Sequence, residues 1–121
     1  MDWRNRRELG SHGEQAACDL LAGKGYRILE RNWRSRLGEI DLIAERNGEL
    51  VFVEVRTRTG GRFGSPEESI GARKRQRLRR MALLYAAERG RIDAAFRFDV
   101  VAVEMDGKTG TCRLRHIESA F

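Results

Sequence analysis

Asp41 and Glu54 are the residues whose types and spacing first suggest chemistry. Asn47-Gly48 is the strongest short hairpin signal, and the runs on either side of it are rich in β-branched residues, so residues 38–56 read as two strands joined by a two-residue turn. Such a turn fixes the register. Counting back from Arg46 opposite Glu49 puts Asp41 opposite Glu54 and Glu39 opposite Arg56. Directly opposed side chains sit about 5 Å apart at Cβ. Two full negative charges at that distance repel by roughly 3 kcal/mol at an effective dielectric of about 20. A cation between them removes the repulsion, and Mg²⁺ characteristically takes one or two carboxylates while keeping several waters. The pair therefore reads as half of a metal site. One hairpin face then carries Glu39, Asp41, Glu54 and Arg56, and the other Ile40, Leu42, Val51, Val53 and Val55. The plainer reading is a solvated face with one salt bridge and one tolerated like-charge contact, which antiparallel sheets often present. A bulge would shift the register and weaken the metal reading.

The second chemical feature is the run Arg73-Lys74-Arg75-Gln76-Arg77-Leu78-Arg79-Arg80. Wound at about 100° per residue, it places Ile70, Lys74, Leu78, Met81 and Tyr85 on one face, so Lys74 falls inside an apolar stripe. Arg73, Arg77 and Arg80 form an adjacent row suited to a phosphate backbone, with Arg75 and Arg79 on the other flank. Two readings stand for each feature. The arginines are a solvated helix face or a binding track. Lys74 either snorkels over the core or directs its ammonium across the sheet toward the acidic pair.

The elements that must position these groups follow from periodicity. Residues 13–23 carry Ala16, Ala17, Leu20 and Leu21 at helical spacing, closed by Gly23 and Gly25. Residues 26–33 read as a strand leading into the hairpin. A glycine-rich loop at 59–64, expected to be mobile, precedes Ser65-Pro66-Glu67-Glu68, which matches a helix start. That helical region extends to Arg89, with Gly71 as a breaking point. Residues 96–104 read as a buried strand and 111–117 as an edge strand. The expected fold class is α/β, a mixed sheet flanked by helices in the order αβββαβ(β).

At 121 residues the chain fits one domain. Its 24 Lys and Arg, of which only three are Lys, against 18 Asp and Glu leave a formal charge of +6. With a pI near 10.1 this points to a polyanionic partner, nucleic acid first and an anionic membrane second. No apolar run approaches a membrane span or a secretory signal, so a cytoplasmic protein is expected. Cys18 and Cys112 have no close pair and read as small hydrophobes in a reducing compartment. His12 and His116 give histidine base catalysis little support.

Several motifs resemble the YraN family of small bacterial proteins. They are Gly13-Glu14-Gln15-Ala16, Tyr26-Arg27-Ile28-Leu29, Asn32-Trp33-Arg34, Gly38-Glu39-Ile40-Asp41-Leu42-Ile43-Ala44, Val51-Phe52-Val53-Glu54-Val55-Arg56-Thr57-Arg58, Gly64-Ser65-Pro66-Glu67-Glu68 and Arg97-Phe98-Asp99-Val100-Val101. That family's pattern in turn resembles the PD-(D/E)xK nuclease superfamily, of restriction-endonuclease-like fold, and archaeal Holliday junction resolvases in particular. The resemblance implies that Asp41 and Glu54 ligate Mg²⁺, with Mn²⁺ as the alternative ion. It adds Glu14 and the Val55 carbonyl to the ligand set and puts Arg56 at the motif lysine position. Ile40 stands in place of the motif proline.

The expected function is metal-dependent hydrolysis of DNA phosphodiesters, at branched or recombination intermediates, by a homodimer. Asp41, Glu54, Arg56 and Lys74 would be catalytic, Glu39 would support the site, and Arg58, Arg73, Arg77 and Arg80 would hold nucleic acid. Arginine stays charged at working pH and can only orient and stabilise, so Lys74 is the candidate for the missing ammonium. The competing expectation is a nucleic-acid-binding module of the same fold without catalysis. A third is an interaction domain whose acidic cluster docks a basic partner.

Overall fold

The computed structural model describes residues 6–59, 70–106 and 108–121, and for residues 6 and 7 the backbone alone. Most of the expected glycine-rich loop and the helix start at Ser65-Pro66 lie outside the described residues. The described elements run α1 (Arg6–Gly23), β1 (Arg27–Ser35), β2 (Gly38–Arg46), β3 (Glu49–Thr59), α2 (Ala72–Glu88), β4 (Phe96–Met105) and β5 (Cys112–Ile117). This is the expected α/β order, with both terminal strands present. The five strands form one mixed sheet in sequence order, antiparallel except where β4 lies parallel to β3. A parallel neighbour requires a crossover, and α2 falls in that connection. Among the described residues no helix is long and apolar enough to cross a membrane.

α1 reaches further toward the N-terminus than the apolar spacing of residues 16–21 indicated. Its earlier turns are mostly polar, so they give no amphipathic signal. α2 begins directly after Gly71, whose extended backbone (ψ 167°) caps it without a side-chain bond. Leu78, Met81, Ala82, Tyr85 and Ala86 bury one stripe of α2, as the spacing predicted.

The sheet separates two apolar layers. On one face Ala17, Cys18 and Leu21 of α1 pack on Leu42, Ala44, Val51, Val53, Val101 and Val103. On the other, α2 covers Ile40, Ile43, Leu50 and Phe52. Full burial of each such aliphatic side chain stabilises by roughly 1.5–3 kcal/mol, so both helices are fastened over the central strands. Cys18 belongs to this core, and Cys112 is exposed on β5.

The side-chain alternation of β2 inverts once. Ile43 faces α2 and Leu42 and Ala44 face α1, yet Ile40 packs with Ile43 rather than with Leu42. The expected grouping of Ile40 with Leu42 is therefore corrected, and the inversion falls at Asp41. On the paired strand Trp33 lies opposite Ile40 and Arg31 opposite Leu42. Between them Asn32 adopts a left-handed φ of 52°, a conformation asparagine tolerates better than most residues. Both strands thus twist at the same level.

Candidate metal centre

The hairpin register has the predicted phase, running from Arg46 opposite Glu49 to Leu42 opposite Val53. The ladder ends one position before Asp41 and Glu54. There the Val55 N–H donates to Asp41 Oδ2 at 2.8 Å, so a side chain replaces the backbone acceptor. Glu54 follows the alternation of Leu50 and Phe52 toward α2, where its carboxylate meets Lys74 Nζ at 2.6 Å. Asp41, freed by the inversion, gathers with Glu14 of α1 and Glu39 of its own strand. Ligand oxygens of these three carboxylates lie within 4.8 Å of one another.

This arrangement differs from a simple facing pair. Glu39 does not meet Arg56: its carboxylate lies 3.4 Å from Arg34 Nε, the residue opposite it on β1. Arg56 turns toward Glu54, with Nε 3.6 Å from Oε1. That Nε is buried and, among the described residues, has no hydrogen-bond partner. Glu54, only 6 % exposed, is therefore flanked by two cations, while Asp41 is left with the Val55 N–H. Burial, followed by the charges of Glu54 and Glu14, pushes the Asp41 carboxyl up to about 7, against the opposing pull of the Val55 N–H and Lys74.

Two residues that sequence reasoning did not single out hold Glu14 in place. A Cβ built on Gly13 would lie 1.9 Å from Thr57 Oγ1 and 3.0 Å from its Cβ, so glycine is what lets α1 touch β3 beside the carboxylates. Its position immediately before Glu14 in a helical pattern is the signal that could have found it. Asn32 donates from Nδ2 to Glu14 at 3.1 Å. Nothing in the local sequence marks Asn32 for that part.

Between α1 and β3 opens a cavity of about 440 Å³, lined by Leu9, Gly10 and Glu14 on one side and residues 55–59 on the other. Arg56 and Arg58 therefore border the carboxylates from the β3 side. Arg73, Arg77 and Arg80 are exposed along α2, whereas Arg75 donates to the Ile70 carbonyl at 2.9 Å and lies over the Phe121 ring. The clustered donors among the described residues are carboxylate oxygens alone, from Glu14, Glu39 and Asp41. Such hard donors suit Mg²⁺ or Mn²⁺, so the residues present fit the ion expected from the sequence.

A second buried carboxylate, Asp99, does different work. It accepts from Arg97 Nε and Nη2 at 2.9 and 2.7 Å, from the Ser119 N–H at 3.0 Å, and bonds His116 Nε2 at 2.7 Å. Lys24 Nζ lies 2.7 Å from His116 Nδ1. An ammonium only donates, so Nδ1 accepts and Nε2–H points to Asp99. All these polar atoms are satisfied internally, which makes this a structural network.

Comparison with known proteins agrees with the motif resemblance. Residues 13–103 match the model of the uncharacterised protein family UPF0102. A UPF0102 protein of Moorella thermoacetica is 52% identical over 116 residues, covering 96% of this chain and 97% of its own. One from Symbiobacterium thermophilum is 53% identical over 115 residues, covering 95% and 97%. A Frankia alni member is 44% identical over 121 residues, the full length of both. With the matched span containing every residue of the carboxylate centre, the chain belongs to UPF0102, the YraN family.

Proposed function

We propose that this protein is a Mg²⁺-dependent endonuclease acting on DNA phosphodiesters, with branched or recombination intermediates as its preferred class. The observation that carries the reading is the convergence of Glu14, Glu39 and Asp41 within 4.8 Å beside the Glu54–Lys74 pair. A chain that only bound polyanions would gain nothing from concentrating carboxylates beside its basic surface. Asp41 and Glu14 would hold the ion, with Glu54 and the Val55 carbonyl completing the set and Glu39 in support. When bound, the ion supplies Lewis-acid polarisation of a phosphoryl oxygen and acidifies a water.

The remaining work falls to the chain's own groups. Lys74, held at 2.6 Å by Glu54, is the ammonium at this centre that would orient a nucleophilic water and stabilise the charge that develops on the phosphate. Arg56 stays charged, and its guanidinium borders the cavity where a phosphate oxygen would sit. Arg58, Arg73, Arg77 and Arg80 would retain the backbone. Cutting a branched substrate on two strands calls for two equivalent sites, so the proposed active species is a symmetric homodimer, working in the cytoplasm.

Arg56 also favours a second reading, a nucleic-acid-binding module that has lost catalysis, because the motif lysine is absent. Calorimetric titration with Mn²⁺ beside a DNA cleavage assay separates the two. The endonuclease reading expects ion binding and cleavage, both abolished in Asp41→Ala. Ion binding without cleavage selects the inactive module. Absence of ion binding by the unaltered protein overturns the metal-centre reading.

A further inference from the structure

We infer that the cavity between α1 and β3 receives an unstacked base of the substrate strand, so that this protein acts where base stacking is already broken. The inference rests on the proposed nucleic-acid reading, and its test is chosen so that the two fail separately.

The cavity lies where the sheet forks. β2 pairs with β3 only from Leu42 to Arg46, although it stays on β1 back to Gly38 and β3 stays on β4 out to Thr59. From Val55 onward the β2-side edge of β3 therefore has no strand beside it among the described residues. Successive residues of a strand turn their N–H and C=O groups to opposite edges. The Val55 N–H points to the β2 side, where Asp41 accepts it, so the main-chain groups of Thr57 and Thr59 point there as well. Both threonines line the cavity. The edge offers it alternating donors and acceptors, the groups that read the Watson–Crick edge of an extruded base.

The opposite wall is kept clear by glycine. Gly10 shares the sheet-facing stripe of α1 with Gly13, Ala17 and Leu21 at helical spacing. At Gly13 the helix touches β3, since a Cβ there would fall 1.9 Å from Thr57 Oγ1. One turn earlier, a Cβ on Gly10 would meet nothing within 4 Å, and the gap has widened into the cavity. Glycine inside a helix weakens it. Close packing accounts for Gly13, but no contact among the described residues accounts for Gly10. An occupant of the cavity does, because a side chain at residue 10 would project into its space.

Size, lining and place select that occupant. The cavity's 440 Å³ falls within the range of small-molecule sites, about 300–1,000 Å³. Leu9 and Val55, both half-buried, give it apolar walls, between which an extruded base is held. Glu14 belongs both to this wall and to the carboxylate cluster, and Val55 is bonded to Asp41. A base seated here leaves its own phosphate beside the carboxylates. Extruding a base costs least where it is mismatched or already single-stranded, as at a flap or a gap.

The test is binding of a labelled single-stranded oligonucleotide and of a fully paired duplex by fluorescence anisotropy without divalent ion. Gly10→Leu, which fills the cavity, should weaken single-strand binding about 10-fold, the scale of one lost base contact, and leave duplex binding unchanged. Its thermal stability should not fall, since a Cβ at residue 10 meets nothing and leucine favours a helix. Mn²⁺ affinity by calorimetry should match that of the unaltered protein. In amide NMR spectra of the unaltered protein, added thymidine monophosphate should shift Gly10, Thr57 and Thr59. Single-strand binding that Gly10→Leu leaves intact, or nucleotide shifts that miss these three residues, overturns the cavity inference and leaves the function standing. No binding of either DNA by the unaltered protein overturns both.

Discussion

Lys74 and Arg56 divide the electrostatics of Glu54, and their separation predicts different phenotypes. Lys74→Ala should lower the cleavage rate by about 10²-fold, the usual scale of one preorganised charged donor at a reacting centre. Arg56→Ala should act chiefly on substrate binding, raising KM more than it lowers kcat; steady-state kinetics on one substrate distinguishes them. Asp41 predicts a pH dependence. Its carboxyl is raised from 3.8 to about 7, so its contribution to the metal-free fold is fully present below about pH 4 and lost as pH rises through 7. Denaturant titrations without divalent ion should show lower stability at pH 8 than at pH 5, by up to about 3 kcal/mol. Asp41→Asn should flatten that difference, and Mn²⁺ affinity should rise with pH over the same range as the ion displaces the proton. At this scale the sequence was legible in part. Asp41 and Glu54 could be counted to one level of the hairpin, but the count assumes strict alternation. The inversion at Asn32 and Asp41 sends one carboxylate to Glu14 and leaves the other with Lys74, and no residue type in β2 announces it.

The elements of the site were legible wherever an apolar period existed. The hairpin, the buried stripe of α2 and the strand at β4 all carry one. The polar first half of α1 does not, and it is this half that delivers Gly13 and Glu14 to β3. The contact is testable at the element level. Gly13→Ala drives a methyl to 1.9 Å from Thr57 Oγ1; even with that hydroxyl turned aside, Thr57 Cβ remains at 3.0 Å, so α1 and β3 must part by a few tenths of an ångström. The change should cost about 1–3 kcal/mol in chemical denaturation and weaken Mn²⁺ binding, because α1 must lift Glu14 away from Asp41. Thr57→Ala in the same chain should recover part of both losses, the non-additivity expected of touching residues.

Across the whole molecule, two acidic positions on the central strands meet opposite fates, the buried Asp99 and the half-buried Asp41. Asp99 is answered on every side: burial pushes its carboxyl up, but His116, Arg97 and the Ser119 N–H hold it below the usual range. The strand pattern at 96–104 located Asp99 without disclosing its partners, which come from Arg97 on the same strand and from β5 and the C-terminal segment. Asp99→Ala should destabilise by about 3–5 kcal/mol, as expected when one member of a buried charge network is removed. Cleavage per folded molecule should be unchanged, a combination that denaturation and active-site titration would reveal. Asp41 is the carboxylate whose burial and acidic neighbours outweigh the Val55 N–H and Lys74. The most direct measurement is product analysis of end-labelled linear, single-stranded, flapped and four-way-junction DNAs incubated with Mg²⁺, beside the Asp41→Ala protein. A Mg²⁺-dependent endonuclease centred on Asp41 gives Mg²⁺-dependent products that favour branched DNA and vanish with Asp41→Ala; products that persist in Asp41→Ala, or no products on any of these DNAs, overturn that function.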